Sequence, residues 1–284
     1  MRRKSWFERF LPRRLRPHVA LVPLVRLSGT IGVGAPLRTP LTLQSVNDRL
    51  ERAFSRPGIA AVALAVNSPG GSAAQSALIA GRIGELSRQY DVKVIAFIED
   101  VAASGGYWIA SSADEIYADR SSIVGSIGVL AAGFGFVDAM SKLGIERRVY
   151  TAGEKKVILD PFQPERREDV QRLHELQGDI HEAFKDAVRE RRGSRLRQDD
   201  PDLFSGAFWT GRKALELGLI DGLGHMHAVL RAKFGDRVEV LEMQRSPGWL
   251  QRRFGMAAAA AGSSLVASLG DEIEVRALWG RYGL

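Results

Sequence analysis

Ser126 lies between glycines in Val124-Gly125-Ser126-Ile127-Gly128-Val129, and about thirty positions later comes Gly153-Glu154-Lys155-Lys156. A serine flanked by glycines is a hydroxyl with open space around it. A downstream lysine can remove its proton if the amine is neutral. The chain has no cysteine, which excludes a thiol nucleophile. None of its five histidines is set as a Ser-His-Asp triad requires, so lysine is the first candidate base if this is a serine hydrolase. The demand on that base is large. Free lysine titrates near about 10.4, and bringing it to about 7–8 takes about 4 kcal/mol of preference for the neutral form. Desolvation among apolar groups can supply that, and Val157, Ile158 and Leu159 follow Lys156 directly.

Two further glycine turns bear on the same chemistry. Pro69-Gly70-Gly71 links an apolar strand pattern to a helix and offers backbone N–H groups where negative charge develops. Gly105-Gly106 repeats the arrangement in Ala102-Ala103-Ser104-Gly105-Gly106-Tyr107. Taken singly, each is also simply a tight turn. Neither is followed by the Gly-Lys-Ser/Thr of a phosphate-binding loop. Ser104 is the competing nucleophile, and its plainer role is to cap the helix it opens.

These turns need a scaffold, and the hydropathy pattern predicts one. Strands are expected over Val19–Leu27, Gly58–Val66, Val92–Ile98 and Glu115–Ala118, with a strand or turn around Ile127 and another strand near Arg147–Tyr150. Between them lie helical patterns: one carrying Leu78, Ile79, Ile83 and Leu86, then Ser104–Ala110, Val137–Leu143 and the long Pro164–Arg192. In the last, Val170, Leu173, Ile180, Phe184 and Ala187 are expected to face inward. Thr210 can cap a helix over Gly211–Leu217 that Gly218 closes. Repeated β-α units with continuous apolar strands imply helices around a mainly parallel sheet, an α/β fold. The chain's 284 residues, 45% of them hydrophobic, suffice for one large domain with appendages.

Taken together, the motifs resemble the signal peptide peptidase A family of Ser-Lys peptidases. Asn67-Ser68-Pro69-Gly70-Gly71-Ser72, Ala103-Ser104-Gly105-Gly106-Tyr107-Trp108, Gly125-Ser126-Ile127-Gly128, Gly153-Glu154-Lys155-Lys156 and Phe208–Gly224 occur in that family's order. The last contains Ala214-Leu215-Glu216-Leu217-Gly218-Leu219-Ile220-Asp221, which the wider crotonase superfamily shares. The resemblance implies a Clp protease/crotonase-like spiral of repeated β-β-α units, forming a single catalytic domain over 18–245. It implies Ser126 as nucleophile and, by the Gly-x-x-Lys spacing from Gly153, Lys156 as base; Lys155 is the alternative one residue away. The oxyanion hole would come from the N–H groups of Gly71, with Gly70 the alternative, and of Ile127. No metal or organic cofactor is implied. Substrates would be cleaved signal peptides and other hydrophobic or unfolded polypeptides. The partner implied is the chain itself, in a homo-oligomeric ring whose neighbouring subunits complete each active site.

The remaining signals are plainer. The net charge of +7 is concentrated in residues 1–17, where Arg2, Arg3, Lys4, Arg9, Arg13, Arg14 and Arg16 oppose Glu8 alone. Basicity therefore belongs to an arm, and nucleic-acid binding is not expected of the domain. Trp6, Phe7, Phe10 and Leu11 make that arm either a peripheral membrane contact or a solvated tail. No run of apolar residues is long enough to span a bilayer, and a cytoplasmic enzyme is the expectation. Met256–Leu269, within a tail over 246–284, reads as a small-residue helix. His225-Met226-His227 lacks further ligands at metal-binding spacing and reads as a helix start; His174 and His181 read as a partly exposed helix face. Two other functional classes fit parts of the pattern: a crotonase-type acyl-CoA hydratase or hydrolase using the same oxyanion turns, and an inactive membrane-associated scaffold.

Overall fold

The computed structural model describes residues 19–32, 40–153, 155–197, 199–244 and 276–283. The basic arm and the Met256–Leu269 stretch lie outside the described residues.

Strands β1 (Leu21–Ser28), β2 (Val62–Ser68) and β3 (Val94–Ala103) form the centre of a sheet, paired in parallel. β8 (Glu239–Glu242) adds to the outer edge of β1. Alternation in β2 explains why the sheet is covered on both sides: Val62, Leu64 and Val66 enter one apolar cluster, Ala63 and Ala65 the other. The larger cluster lies under α1 (Leu43–Phe54), α2 (Ala73–Tyr90), α3 (Gly105–Ser111) and the end of α5 (Arg167–Arg192). On the opposite face α7 (Met226–Phe234) covers Val22, Leu24 and Phe97 with Leu230. The fold is α/β, as the alternating pattern predicts.

β3 is long enough to serve two neighbours. Its first half pairs with β4 (Glu115–Ala118), which pairs in turn with β7 (Gly222–Leu223). Its last residues, Val101–Ala103, pair with β5 (Ile123–Gly125), and β5 pairs antiparallel with β6 (Phe208–Thr210). Ser126 thus emerges from a short strand pinned between the central sheet and a third segment. Thr210 caps α6 (Gly211–Glu216) by accepting from Lys213 N–H, and Gly218 follows with φ +76°, as expected.

α5 is docked by a polar device at its far end. The Arg192 side chain is 0% exposed, and its guanidinium donates to Asp221 (2.7 and 3.1 Å) and twice to Gly218 O. Asp221 also accepts from Ile116 N–H and pairs with Arg195. The aspartate of the Gly-Leu-Ile-Asp sequence therefore ties α5 to β4. Burial pushes its carboxyl up, but Arg192 and the other donors outweigh that and hold it below its ordinary value. Replacing Asp221 with alanine leaves a buried guanidinium unpaired, and should cost about 3–5 kcal/mol in denaturant unfolding. A depressed carboxyl stabilises the fold above the unfolded value of about 3.9 and stops doing so as pH falls through the folded value. Acid sensitivity below about pH 4 should accordingly weaken in Asp221→Ala.

Two sequence expectations are corrected. Residues 147–150 form no strand: Val149 and Tyr150 are exposed, while Arg147 turns aside to pair with Asp160 and lie over the Phe162 ring. In α5 only Phe184, Val188 and Arg192 are buried; Ile180 is exposed because the N-terminal half of the helix has no covering layer among the described residues. Leu78 of α2 is likewise exposed, whereas Ile79, Ile83 and Leu86 are buried.

Candidate active site

Three glycine turns converge at the carboxyl ends of β2, β3 and β5. The Pro69-Gly70-Gly71 turn leaves β2 and leads into α2, whose cap Ser72 accepts from Gln75 N–H. A Cβ at Gly70 would meet that of Ser104 at 2.8 Å, so this turn lies against the start of α3. Ser104 N–H in turn donates to Gly125 O at 2.8 Å, which joins the second turn to the third. Gly70, Ser104 and Gly125 are so brought together by direct contact.

Ser126 occupies a strained backbone. Its φ is +54°, a region that costs a non-glycine residue about 1–3 kcal/mol and persists only where neighbours enforce it. The enforcement is visible: Ser126 N–H donates to Ala207 O at 2.7 Å, and Ile127 behind it is fully buried. Gly125, at φ +112°, cannot be replaced freely, because a Cβ there would meet the Trp209 ring at 2.7 Å. Strain of this kind turns a side chain out of a strand end, a geometry that suits a nucleophile. Ser104 shares the trait with φ +51°; it occupies the cap position of α3, but its hydroxyl makes no capping bond.

The candidate oxyanion donors differ in their partners. Gly70 N–H is taken by Ser68 Oγ at 3.2 Å. The N–H groups of Gly71 and Ile127 meet no protein acceptor among the described residues. Gly71 N–H is turned away from Ile31, because Ile31 N–H bonds to Gly70 O and Ser72 N–H to Ile31 O on either side of it. At Gly71 φ is +137°, and a Cβ would fall 2.2 Å from Ile31 O, so the position admits only glycine.

Ser126 is 5% exposed, and its cover comes from far along the chain. The Tyr282 hydroxyl donates to Ser126 Oγ at 3.3 Å. Tyr282 packs edge-on against Phe208 and joins Trp279, Val101, Ala103 and Ile123 in a small apolar cluster.

Residues 87–238, just over half of the chain, match the model for Peptidase family S49. The chain belongs to this family. With it come the α/β, Clp/crotonase-like single domain expected above and a context for the converging turns. Over 98% of its length the chain is 51% identical to a protein of Brucella abortus named Na(+)/H(+) antiporter NhaA, but it spans only 39% of that protein. It is 28% identical over 66% of its length to a putative signal peptide peptidase SppA of Enterococcus faecium, spanning 54% of it. With Protease 4 of Haemophilus influenzae identity is 31% over 72% of this chain and 32% of that one. The chain therefore spans well under two thirds of these curated relatives. Among the described residues, no helix is long and apolar enough to cross a membrane.

The S49 chain does not join the two lysines to Ser126. Both Lys155 and Lys156 are exposed, in a segment from residue 130 to 168 that is exposed along nearly its whole length. This segment holds itself together by stacking Phe136 on Phe162 and by donating Phe136 N–H to Pro161 O. Asp160 shapes this loop by pairing with Arg147 and accepting from Phe162 N–H. Its apolar side chains are left outside: Phe134 is 77% exposed, Leu143 72% and Tyr150 90%. Lys155 lines a cleft with Ile158, Arg166, Asp169 and Leu176 at the start of α5.

Of the histidines, His225 caps α7 by accepting from Ala228 N–H, the helix start that was expected. His181 is partly exposed, as expected, and its Nε2 also lies 3.0 Å from Ile127 O, a contact the spacing does not show.

Proposed function

We propose that the chain is a serine endopeptidase in which Ser126 attacks the peptide carbonyl and Lys156 acts as its base. The observation that carries this reading is the enforced backbone of Ser126 where the glycine turns meet, in turns whose Gly71 and Ile127 N–H groups have no acceptor among the described residues. A tetrahedral oxyanion formed at Ser126 needs such donors, placed before the reaction begins. Membership of Peptidase family S49 supports the same reaction class.

In the mechanism, neutral Lys156 takes the Ser126 proton as Oγ bonds to the carbonyl carbon. The carbonyl oxygen becomes an anion held by the N–H groups of Gly71 and Ile127. The proton then passes from Lys156 to the leaving amine as the C–N bond breaks, which leaves an acyl-serine. Water, deprotonated by the same amine, attacks that ester and restores Ser126.

The exposure of Lys156 sets a condition on assembly. Desolvation is what makes a lysine an effective base, so Lys156 needs a drier setting than the described residues give it. The exposed apolar residues 130–162 supply the means, since patches of this kind are covered by protein partners. A second copy seated on that segment would bury Lys156 and bring it to a neighbouring Ser126. This agrees with the ring of completed sites implied by the resemblance. Lys155 lies in the cleft at the start of α5 and is read as part of that contact.

Substrates are unfolded or apolar polypeptides, including cleaved signal peptides, in keeping with the name of the Enterococcus faecium relative. The site would work at the membrane surface or in the cytoplasm. The transport named for the Brucella protein is not carried over, because the converging turns and the family match both point to peptide hydrolysis. The test is hydrolysis of fluorescein-labelled casein and a synthetic signal peptide, alongside binding of crotonyl-CoA. Hydrolysis without CoA binding is expected. CoA binding without hydrolysis would favour the crotonase-type reading, and neither would favour the scaffold.

Tyr282 adds a prediction. Removing its ring uncovers Ser126, so Tyr282→Ala should raise the labelling rate by a small fluorophosphonate several-fold. An unchanged or lower rate would show that the tyrosine does not limit access.

A further inference from the structure

Between Ser126 and Phe136 the backbone makes a single hydrogen bond among the described residues. It is the one between His181 and Ile127 O, at 3.0 Å. Upstream, Gly125 O and Ser126 N–H are both held by neighbouring elements, Ser104 and Ala207. Downstream, the chain passes into the exposed segment and next touches a backbone partner at Pro161. His181 therefore supplies the hydrogen bond that fixes the strained turn on its far side, beside the buried Ile127 side chain.

The ring is well placed to do this. It is half-buried, and one turn further along α5 Phe184 stacks on Trp108 with centroids 4.5 Å apart and planes at 4°. That contact anchors α5 to α3, the helix opened by Ser104. Ile127 O accepts, so His181 must carry its proton on Nε2.

We infer that His181 is a positioning residue for the oxyanion hole: by holding Ile127 O it fixes the residue whose own N–H is aimed at the oxyanion. This inference rests on the proposed roles of Ser126 and Ile127. Preorganised donors lose effect steeply when misaligned, because a shift of about 1 Å can cost as much as a hundredfold in rate. A purely structural histidine would change stability without selectively changing the acylation step.

The test is the rate of Ser126 labelling by a fluorophosphonate, resolved into a maximal rate and an apparent binding constant. His181→Phe keeps the ring volume and removes the donor; the maximal rate should fall about tenfold or more with binding nearly unchanged. His181→Gln places an amide N–H near the position of Nε2 and should recover to within about threefold of wild type. If His181→Phe does not fold, His181→Asn, whose amide is too short to reach Ile127 O, should show the same loss. Wild-type rates in the donor-less variants, a loss confined to binding, or glutamine no better than phenylalanine would each overturn the inference. Labelling that persists in Ser126→Ala would instead overturn the reading of the site itself.

Discussion

Ser126→Ala should abolish casein hydrolysis, with a loss of at least about a thousandfold and no loss of folding. The magnitude follows from the chemistry. Without Oγ there is no acyl intermediate, and the remaining N–H groups can only favour a direct attack by water, which has no positioned base. Folding should survive because the hydroxyl's described bond is the one to Tyr282 and the strained turn is held by backbone groups. Alanine at φ +54° bears much the same strain as serine. Thermal unfolding should therefore move by no more than a few degrees. A variant that unfolds would fail to test the nucleophile, so circular dichroism belongs beside the assay.

Lys156→Ala should be nearly as damaging, whereas Lys155→Ala should stay within about threefold of wild type. The larger consequence concerns where the amine comes from. Lys156 is exposed on a segment where Phe134, Leu143 and Tyr150 are exposed as well. If one copy's Lys156 serves another's Ser126, two inactive variants will repair each other. Ser126→Ala mixed with Lys156→Ala, dissociated and reassembled together, should regain a substantial fraction of wild-type activity. Each alone should remain near background. A mixture as inactive as its parts would put the lysine in the same chain as its serine. Phe134→Ser with Leu143→Ser should weaken assembly and lower activity together, since both side chains are exposed apolar surface.

The sequence was most legible where local chemistry decides the structure. The glycines of Pro69-Gly70-Gly71 and Gly125-Ser126-Ile127-Gly128 mark places where no larger residue fits, and both turns stand where the alternating pattern puts them. Glu115–Ala118 and Val137–Leu143 agree with the expected elements at both ends. The errors have one physical source. Apolar residues that stay exposed look in sequence like residues of a core, so residues 147–150 read as a strand and Ile180 as an inward position. Periodicity reports that a side chain is apolar, not which molecule will cover it.

Parts of the site were illegible for a different reason. His181 meets Ile127 across 54 positions, and Tyr282 meets Ser126 across 156. No local spacing records such contacts. Asp221 was visible as a motif residue, but its partner Arg192 was one arginine among many in α5 until burial singled it out. The distinction between Gly70 and Gly71 also needed coordinates: Ser68 occupies the first N–H and leaves the second pointing away from Ile31.

The most direct measurement is a peptide map of the full-length protein after fluorophosphonate treatment near neutral pH, for wild type and Lys156→Ala side by side. A single adduct on Ser126 in the wild type, lost or slowed at least about a hundredfold in Lys156→Ala, is the expected result. An adduct on Ser104 instead, or equal labelling of Ser126 with and without Lys156, would contradict it.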